Sequence, residues 1–395
     1  MLDQKKVVRD PIEVPAWTDL TDLASATFGG QVLFATDEWF ASSERMLLEA
    51  EPIFNQEYTE FGKWMDGWES RRKRTAGHDW CIIRLGLPGR VKGVMVDTAF
   101  FTGNQAPRFS LQGTWFPEEP EVLRQLGEGR HAGRVGVAAS EQEVELASRV
   151  GSEDWQEITG MTELRPGYET GRRHYFTVNS DMLCKVSHIR LNIFPDGGVA
   201  RLRVHGCVEQ SWEGILADEE VDLLAVENGG LEVGSSDRHY GVPKNMIKPG
   251  RGIHMGDGWE TARKPGRPPV LEIAPDGLVK APGSDWAILQ LGTVGEIRRL
   301  VVDTNHFKGN FPESVSLEAC CMPDAQPKDF LDQHGGVSIE WAPLLPRHKT
   351  GPSKEHVFEL EKGELRALGP VSHVKLNIFP DGGVMRLRAF GRRCT

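Results

Sequence analysis

Apolar residues along this chain fall in short runs, several alternating with polar ones, and Gly, Pro and Asp bound the runs. CIIRLGL at 81–87, VKGVMVDT at 91–98, SHIRLNIF at 187–194 and VARLRVHG at 199–206 are of this kind, as are AILQLG at 287–292 and RRLVVDT at 298–304. Runs this short, several of them with a two-residue period, predict β-strands. Asp-Gly-Gly at 196–198 joins LNIF to VARLRV and predicts a hairpin, because these residues accept the positive φ that tight turns demand. In that hairpin Leu191 and Ile193 would share a packed face with Leu202 and Val204. Helical spacing is rare. Residues 140–150 (SEQEVELASRV) combine a serine cap with apolar positions one turn apart and predict a helix; residues 42–50 predict a shorter one. Many strands, frequent turns and few helices predict an all-β chain of β-sandwiches.

The pattern is written twice. LNIFPDGGV at 191–199 recurs letter for letter at 376–384, and both copies run on through Arg-Leu-Arg (201–203, 386–388) to a glycine, Gly206 or Gly391. Identity of this length at matching places marks an internal duplication. The ladder extends backwards. Asp22-Leu23-Ala24 with Gly29-Gly30 matches Asp222-Leu223-Leu224 with Gly229-Gly230, and Asp37 matches Asp237. DGWE at 66–69 matches DGWE at 257–260, with Arg72 opposite Arg263. Asp79-Trp80 matches Asp285-Trp286, and Asp97-Thr98, Phe101, Gly103 and Asn104 match Asp303-Thr304, Phe307, Gly309 and Asn310. Trp155, His174 and His188 match Trp341, His356 and His373. The expected organisation is an extension at 1–21, a first repeat at 22–206, a linker at 207–221 and a second repeat at 222–391. Helix 140–150 has no match in the second half and reads as an insertion.

Composition narrows the class. With 395 residues, 26% charged and 39% hydrophobic, the chain suffices for two ordinary globular domains. No apolar run approaches the roughly 20 residues of a membrane span, and the N-terminus lacks the apolar stretch of a secretory signal. A net charge of −11 argues against nucleic acid as a partner. Cys81, Cys184, Cys207, Cys320, Cys321 and Cys394 have neither metal spacing nor disulfide density, so a cytoplasmic protein with reduced thiols is expected.

Polar residues that recur in both halves are the candidates for chemistry. In DGWE, Trp68 and Trp259 offer a rigid wall or a core plug, and Glu69 and Glu260 a carboxylic acid or a rim charge. Arg72 and Arg263 can grip a carboxylate through two parallel hydrogen bonds. Asp97 and Asp303, where strands give way to loops, can bind substrate or tie down backbone N–H groups. Asn104 and Asn310 follow glycine and read first as turn residues, and the recurring His188 and His373 as structural ones. The halves also differ. Where the first has Trp39-Phe40 and Ala99-Phe100, the second has His239-Tyr240 and Asn305-His306, which places extra proton-carrying groups in the second half. No nucleophile elbow, phosphate loop or zinc signature occurs. No cofactor is expected, and a divalent metal held by distant His, Asp and Glu stays open.

The order DGW, then D-W-x-I-x-x-L-G, then a strand ending in Asp-Thr, then x-R-L-R-V-x-G resembles the galactose-binding, discoidin-like jelly roll, whose ligands sit in loops at one end. Longer motifs are more specific. FATDEWFA (34–41), MDGWESRRKR (65–74), DTAFFTGN (97–104), GDGWETAR (256–263), VDTNHFKGN (302–310) and the doubled LNIFPDGG resemble the allantoicase family over residues 22–391. The resemblance implies two tandem jelly rolls and a hydrolase that converts allantoate to ureidoglycolate and urea in purine breakdown. Set against that reaction, Arg263 or Arg72 would hold the substrate carboxylate, and Glu260, Glu69 or His306 would protonate the departing ureido group. His239, Asp303 or His306 would activate water, and Asn305 and Asn310 would bond ureido groups. Trp259 would wall the site. The expected partner is this small molecule, with no membrane and a homo-oligomeric assembly. A non-catalytic tandem module for a sugar or another polar ligand is the alternative.

Overall fold

A computed structural model describes residues 13–130, 133–179, 185–216, 218–268, 270–281, 283–331 and 339–394. Most of the N-terminal extension and Cys184 lie outside these residues. The chain forms two compact units, Met1–Glu209 and Gln210–Thr395.

The first unit is organised around one bent strand. Its main strands are β1 Gln31–Ala35, β2 Asp79–Asp97, β3 Arg108–Thr114, β4 Gln156–Glu163, β5 Arg173–Thr177, β6 Val186–Phe194 and β7 Arg201–Val208. β2 serves two layers. Its first part pairs with β1 and β6, and its second part pairs with β5 and β7. One layer is thus β1-β2-β6-β3-β4, and the other is Thr21–Asp22, β7, β2, β5, all antiparallel. The changeover falls at Pro88-Gly89, where proline cannot donate to a ladder. Phe109 of β3 meets Phe176 of β5 at 4.9 Å between ring centroids, so the layers face each other. Ile82, Ile83, Val94, Val96, Leu191, Ile193, Leu202 and Val204 are fully buried, each contributing about 1.5–3 kcal/mol of transfer free energy.

The second unit repeats the plan with β8 Leu231–Ser235, β9 Asp285–Asp303, β10 Ser314–Cys320, β11 Ala342–Lys349, β12 Glu355–Glu359, β13 Val371–Phe379 and β14 Arg386–Arg393. β9 pairs first with β8 and β13, then with β12 and β14. The expected pair of tandem jelly-roll β-sandwiches, of galactose-binding-like type, is what the chain forms.

One local expectation fails. β6 and β7 are not a hairpin, because β2 lies between them: β6 pairs with residues 79–89 of β2 and β7 with residues 89–97. The Asp-Gly-Gly segment is an arch that carries the chain from one layer to the other. Leu191 and Ile193 therefore belong to one layer, and Leu202 and Val204 to the other. Residues that accept positive φ suit any sharp reversal, and Gly197 and Gly382 do have φ of 126° and 137°. The arch is also crowded: a Cβ at Gly198 or Gly383 would fall 2.1 Å from the ring of Phe101 or Phe307. The doubled motif is therefore maintained by packing.

Helices are few. α1 Glu121–Glu128 has no counterpart among the elements expected from sequence; its Leu123 and Leu126 pack on Leu33, Phe34 and Trp80. α2 Glu141–Ser148 matches the expected helix and starts with a capping box in which Ser140 Oγ accepts from the Glu143 N–H and Glu143 accepts from the Ser140 N–H. The helix expected at 42–50 is only a 3-10 turn, Ser43–Leu47, because the Ser43 N–H is drawn to the Glu38 carboxylate at 2.8 Å and the flanking residues are extended. In the second unit the described residues contain one short α-helix, Pro327–Leu331. No helix among the described residues is long and apolar enough to cross a membrane. Cys81, Cys207, Cys320, Cys321 and Cys394 are free thiols.

Candidate active site

Because β2 bends back on itself, both of its ends, Asp79 and Asp97, return to the same end of the sandwich. There the loops at 66–78, 98–107 and 195–200 converge. Trp68–Glu69 forms a two-residue ladder with Gly198–Val199, and Trp259–Glu260 does the same with Gly383–Val384. The arch therefore holds the DGWE segment from behind. Lys73 N–H donates to Asp196 and Lys264 N–H to Asp381 at 2.8 and 2.9 Å, which fixes the next residues in the same way.

Within DGWE the roles separate. Trp68 and Trp259 are fully buried, and each indole N–H donates to a backbone carbonyl, Asp37 O at 2.8 Å or Asp237 O at 2.9 Å. Trp259 thus supports the loop from beneath and presents no face to a ligand. The Asp66 carboxylate binds Arg201, Arg45 and the Ile53 N–H; burial opposes its ionisation, but these partners hold its pKa below the ordinary value. Asp257 accepts from the Ile253 and His254 N–H groups.

The glutamates are different. Glu69 is 8% exposed, and its carboxyl accepts a hydrogen bond from the Asn104 amide, which donates to Oε1 at 2.6 Å. Burial pushes its pKa up to about 7, against the opposing effects of Asn104 and the nearby Lys63 charge. Glu260 is half-buried and accepts from the Asn310 amide, which also reaches Met255 Sδ at 3.7 Å. Each repeat therefore joins an acid to an amide across the mouth of its loop cluster. Such a pair can exchange a proton while an adjacent amide bonds a polar substrate.

The other candidates surround these pairs. Asp303 accepts from the Asn305 N–H at 2.9 Å and from Arg251 at 3.0 and 3.2 Å; Asp97 likewise accepts from the Ala99 N–H. His306 lies in the left-handed region with φ 66°, and Phe100 at the matching place has φ 68°. Non-glycine residues are costly in that conformation and cluster at functional loops. His306 Nε2 lies 3.4 Å from Gly252 O, and the Asn305 amide 3.5 Å from Arg251 O. His239 is exposed and packs edge-on to Tyr240 at 4.4 Å; the Tyr240 N–H donates to Glu260 O. Arg72 and Arg263 are exposed and have no hydrogen bond or ion pair among the described residues. Among those residues no three His, Cys, Asp or Glu come together as metal ligands.

The remaining recurrent histidines are structural. His174 and His356 bridge a carbonyl of the long strand, Val96 O or Val302 O, to a backbone N–H, that of Arg165 or Gly351. Burial lowers the pKa of both. His188 contacts Ser187 and Glu119, while His373 contacts Ser372 and the Phe330 ring. An open groove of about 580 Å³ lies on the other flank of the first arch, lined by His78, Arg108 and Phe194. Its His78 ring is already bonded to Asn192 and stacked on Phe194, so it offers no comparable acid. Reading along the sequence assigned Asn104 to a turn and passed over Lys63. The signal available was the joint recurrence of Glu and Asn at matching places in both halves.

Comparisons with known proteins agree with the repeat. A family model described as "Allantoicase repeat" matches residues 21–209 and 221–394. A "Probable allantoicase" of Pseudomonas paraeruginosa is 43% identical over 373 residues, covering 94% of this chain and 95% of that one. One from Pseudomonas syringae is 39% identical over 372 residues, 94% of this chain and 96% of the relative. The crystal structure of an allantoicase from Saccharomyces cerevisiae superposes with a TM-score of 0.68 at 34% identity, covering 94% of this chain and 92% of that one.

Proposed function

Because the chain belongs to the allantoicase family, we propose that the paired glutamate and asparagine of its loop ends carry the reaction of that family. The chain is a hydrolase of C–N bonds in linear amidines, converting allantoate and water to ureidoglycolate and urea in purine degradation. A binding module without chemistry is not favoured. The observation that carries the assignment of residues is the repetition of one acid–amide pair, Glu69–Asn104 and Glu260–Asn310, at the same place in both halves.

Allantoate carries a carboxylate and two ureido groups on one carbon. Cleavage breaks one C–N bond at that carbon; the departing nitrogen gains a proton and leaves as urea, and the oxygen of water becomes the new hydroxyl. Glu69, protonated below about pH 7, suits the proton donor, and Glu260 is its counterpart in the second repeat. Asn104 or Asn310 would hold a ureido oxygen or N–H while orienting the acid. Arg72 and Arg263 are the arginines of the two loops able to reach the carboxylate. His306 and His239 are the candidate bases for water, assisted by Asn305. Asp303, with both oxygens occupied by Arg251 and its own loop, would position Asn305 and His306. We place the protein in the cytoplasm as a homo-oligomer, which cell fractionation and sedimentation would test.

The deciding experiment is urea and ureidoglycolate release from allantoate, before and after chelator. Turnover that survives chelation supports the acid–base route. Loss of turnover that a divalent ion restores would instead make His239, His306 and Asp303 ligand candidates. A folded sample that releases no urea would overturn the assignment.

A further inference from the structure

The first repeat has a longer loop before its DGWE segment, residues 48–65, than the second has at 248–256. The extra chain folds into a small hairpin in which Tyr58 pairs with Lys63 and Thr59 with Gly62. Phe61 in its turn packs edge-on to Trp39 at 5.5 Å, and Gly62 sits against the Phe40 ring. The hairpin is therefore anchored, and with it the stem of Lys63. The ammonium of Lys63 lies 4.7 Å above the ring of Phe54, which in turn contacts Phe100 at 5.6 Å. A cation over an aromatic face is held in place without being neutralised. Among the described residues Lys63 has no ion pair, although it is near enough for its charge to act on Glu69.

We propose that Lys63 receives the carboxylate of allantoate, so that the central carbon lies beside Glu69 and Asn104 and the first repeat selects anionic ureides. The proposal rests on the assignment of the acid–amide pair and deepens it. A neutral acid, its amide and an uncompensated cation close enough to act on that acid match one carboxylate and one ureido group. An ionised Glu69 would neutralise Lys63 and compete with the substrate; burial keeps it protonated to near neutral pH. Arg72, by contrast, has no tie to the Glu69 carboxyl. In the second repeat Met255 occupies the space beside Asn310, and His306 stands where Phe100 contacts Phe54. That site has the pair without the lysine.

The test is steady-state kinetics on the full-length protein with Lys63→Ala and Lys63→Arg, together with inhibition by methylenediurea, which has both ureido groups and no carboxylate. Loss of a charged hydrogen bond should raise KM for allantoate by about 10- to 100-fold in Lys63→Ala, with a much smaller change in kcat. Lys63→Arg should recover most of that loss, and inhibition by methylenediurea should be unchanged. An unaltered KM in Lys63→Ala would overturn the proposal. So would an equal weakening of methylenediurea, which would mean that the hairpin had merely lost its shape. Glu69→Gln and Glu260→Gln separate the two levels. If both keep full kcat, the acid–amide assignment fails; if either is crippled while Lys63→Ala retains its KM, the lysine alone is wrong.

Discussion

The two repeats share a scaffold almost to the hydrogen bond and differ in what stands on it. In both, an arch of Asp-Gly-Gly backs a Trp-Glu ladder, a buried indole donates to the carbonyl of an aspartate, and an asparagine amide meets the glutamate. In the first repeat that glutamate is buried and feels the charge of Lys63 from the added hairpin; in the second it is half open, its asparagine touches Met255 and its backbone carbonyl accepts from the Tyr240 N–H. Duplication thus fixed the geometry of an acid–amide pair and left its surroundings free to diverge. Surroundings set a pKa more than the residue's identity does.

The sharpest way to break the comparison is to remove the acid from one side at a time. Glu69→Gln is expected to lower kcat by about 10²- to 10⁴-fold, the usual contribution of a positioned proton donor, with Glu260→Gln measured in parallel. The pH profile identifies the group. If Glu69 is the acid, kcat should fall as pH rises through about 7, and Glu69→Gln should abolish that limb. A profile unchanged in Glu69→Gln but altered in Glu260→Gln would move the chemistry to the second repeat.

The next contrast concerns stability. In the first repeat Glu38 is 2% exposed and paired with Arg130 at 2.7 and 3.0 Å; Glu44 and Ser43 complete the cluster. At the matching place the second repeat has the more exposed Arg238, paired with the carboxylate of Glu232, which is itself nearly buried and also accepts from the Lys244 N–H. Arg130→Met would strand a buried carboxylate and cost about 3–5 kcal/mol, whereas Arg238→Met should cost less, because Arg238 is half exposed and Glu232 keeps the Lys244 N–H. Hydrogen exchange in residues 38–47 and 121–130, together with chemical denaturation, reads the difference. Adding Glu38→Gln to Arg130→Met should recover part of the loss; no recovery would mean that the arginine acts through packing.

Strands, repeats and the family likeness were legible because each is a local pattern: apolar alternation, a doubled nonapeptide, motifs of eight to ten residues. Partner choice was not local. Asp-Gly-Gly reads as a hairpin from its φ preferences alone, and only the pairing of β2 with both β6 and β7 reveals an arch. α1 was missed because two buried leucines in GluValLeuArgGlnLeu become a helical face only once Leu33, Phe34 and Trp80 are there to receive them. At the site, Glu260 and Asn310 were both singled out from sequence, but their contact spans fifty residues. Lys63 carried no signal, since the second half has nothing to match it.

Two buried groups, one in each repeat, contribute stability slopes of opposite sign. The Glu69 pKa is raised from 4.5 to about 7, so its contribution is full at low pH and is lost as pH climbs from about 4.5 through 7. The His373 pKa is lowered by burial from 6.5 to about 4, so its contribution is full above 6.5 and is lost as pH falls towards 4. Each amounts to about 3 kcal/mol at most over its window. Glu69→Gln should stabilise the protein at pH 8 and change little at pH 4, and His373→Gln should flatten the acid limb. In the first repeat burial also lowers the His188 pKa, but Glu119 opposes the effect, so the acid loss should be smaller there. Equal acid sensitivity of His188→Gln and His373→Gln would remove that distinction.

The smallest effect concerns the inserted helix itself. Ser140 and Glu143 close a capping box at the start of α2, and Glu143 is held below the ordinary carboxylate pKa by the Ser140 N–H first of all. Ser140→Ala removes one reciprocal bond and should cost about 1 kcal/mol. Because α2 packs with α1 on Leu33, Phe34 and Trp80, the loss should appear as faster exchange in residues 121–148 while exchange in β9 and β13 stays unchanged. If the cap supports only the insertion, KM and kcat for allantoate will not move. If kcat does move, the insertion reaches the catalytic loops through Arg130 and Glu38, whose neighbour Asp37 carries the carbonyl that Trp68 binds, and the first repeat's extra helices would belong to its chemistry as well as to its fold.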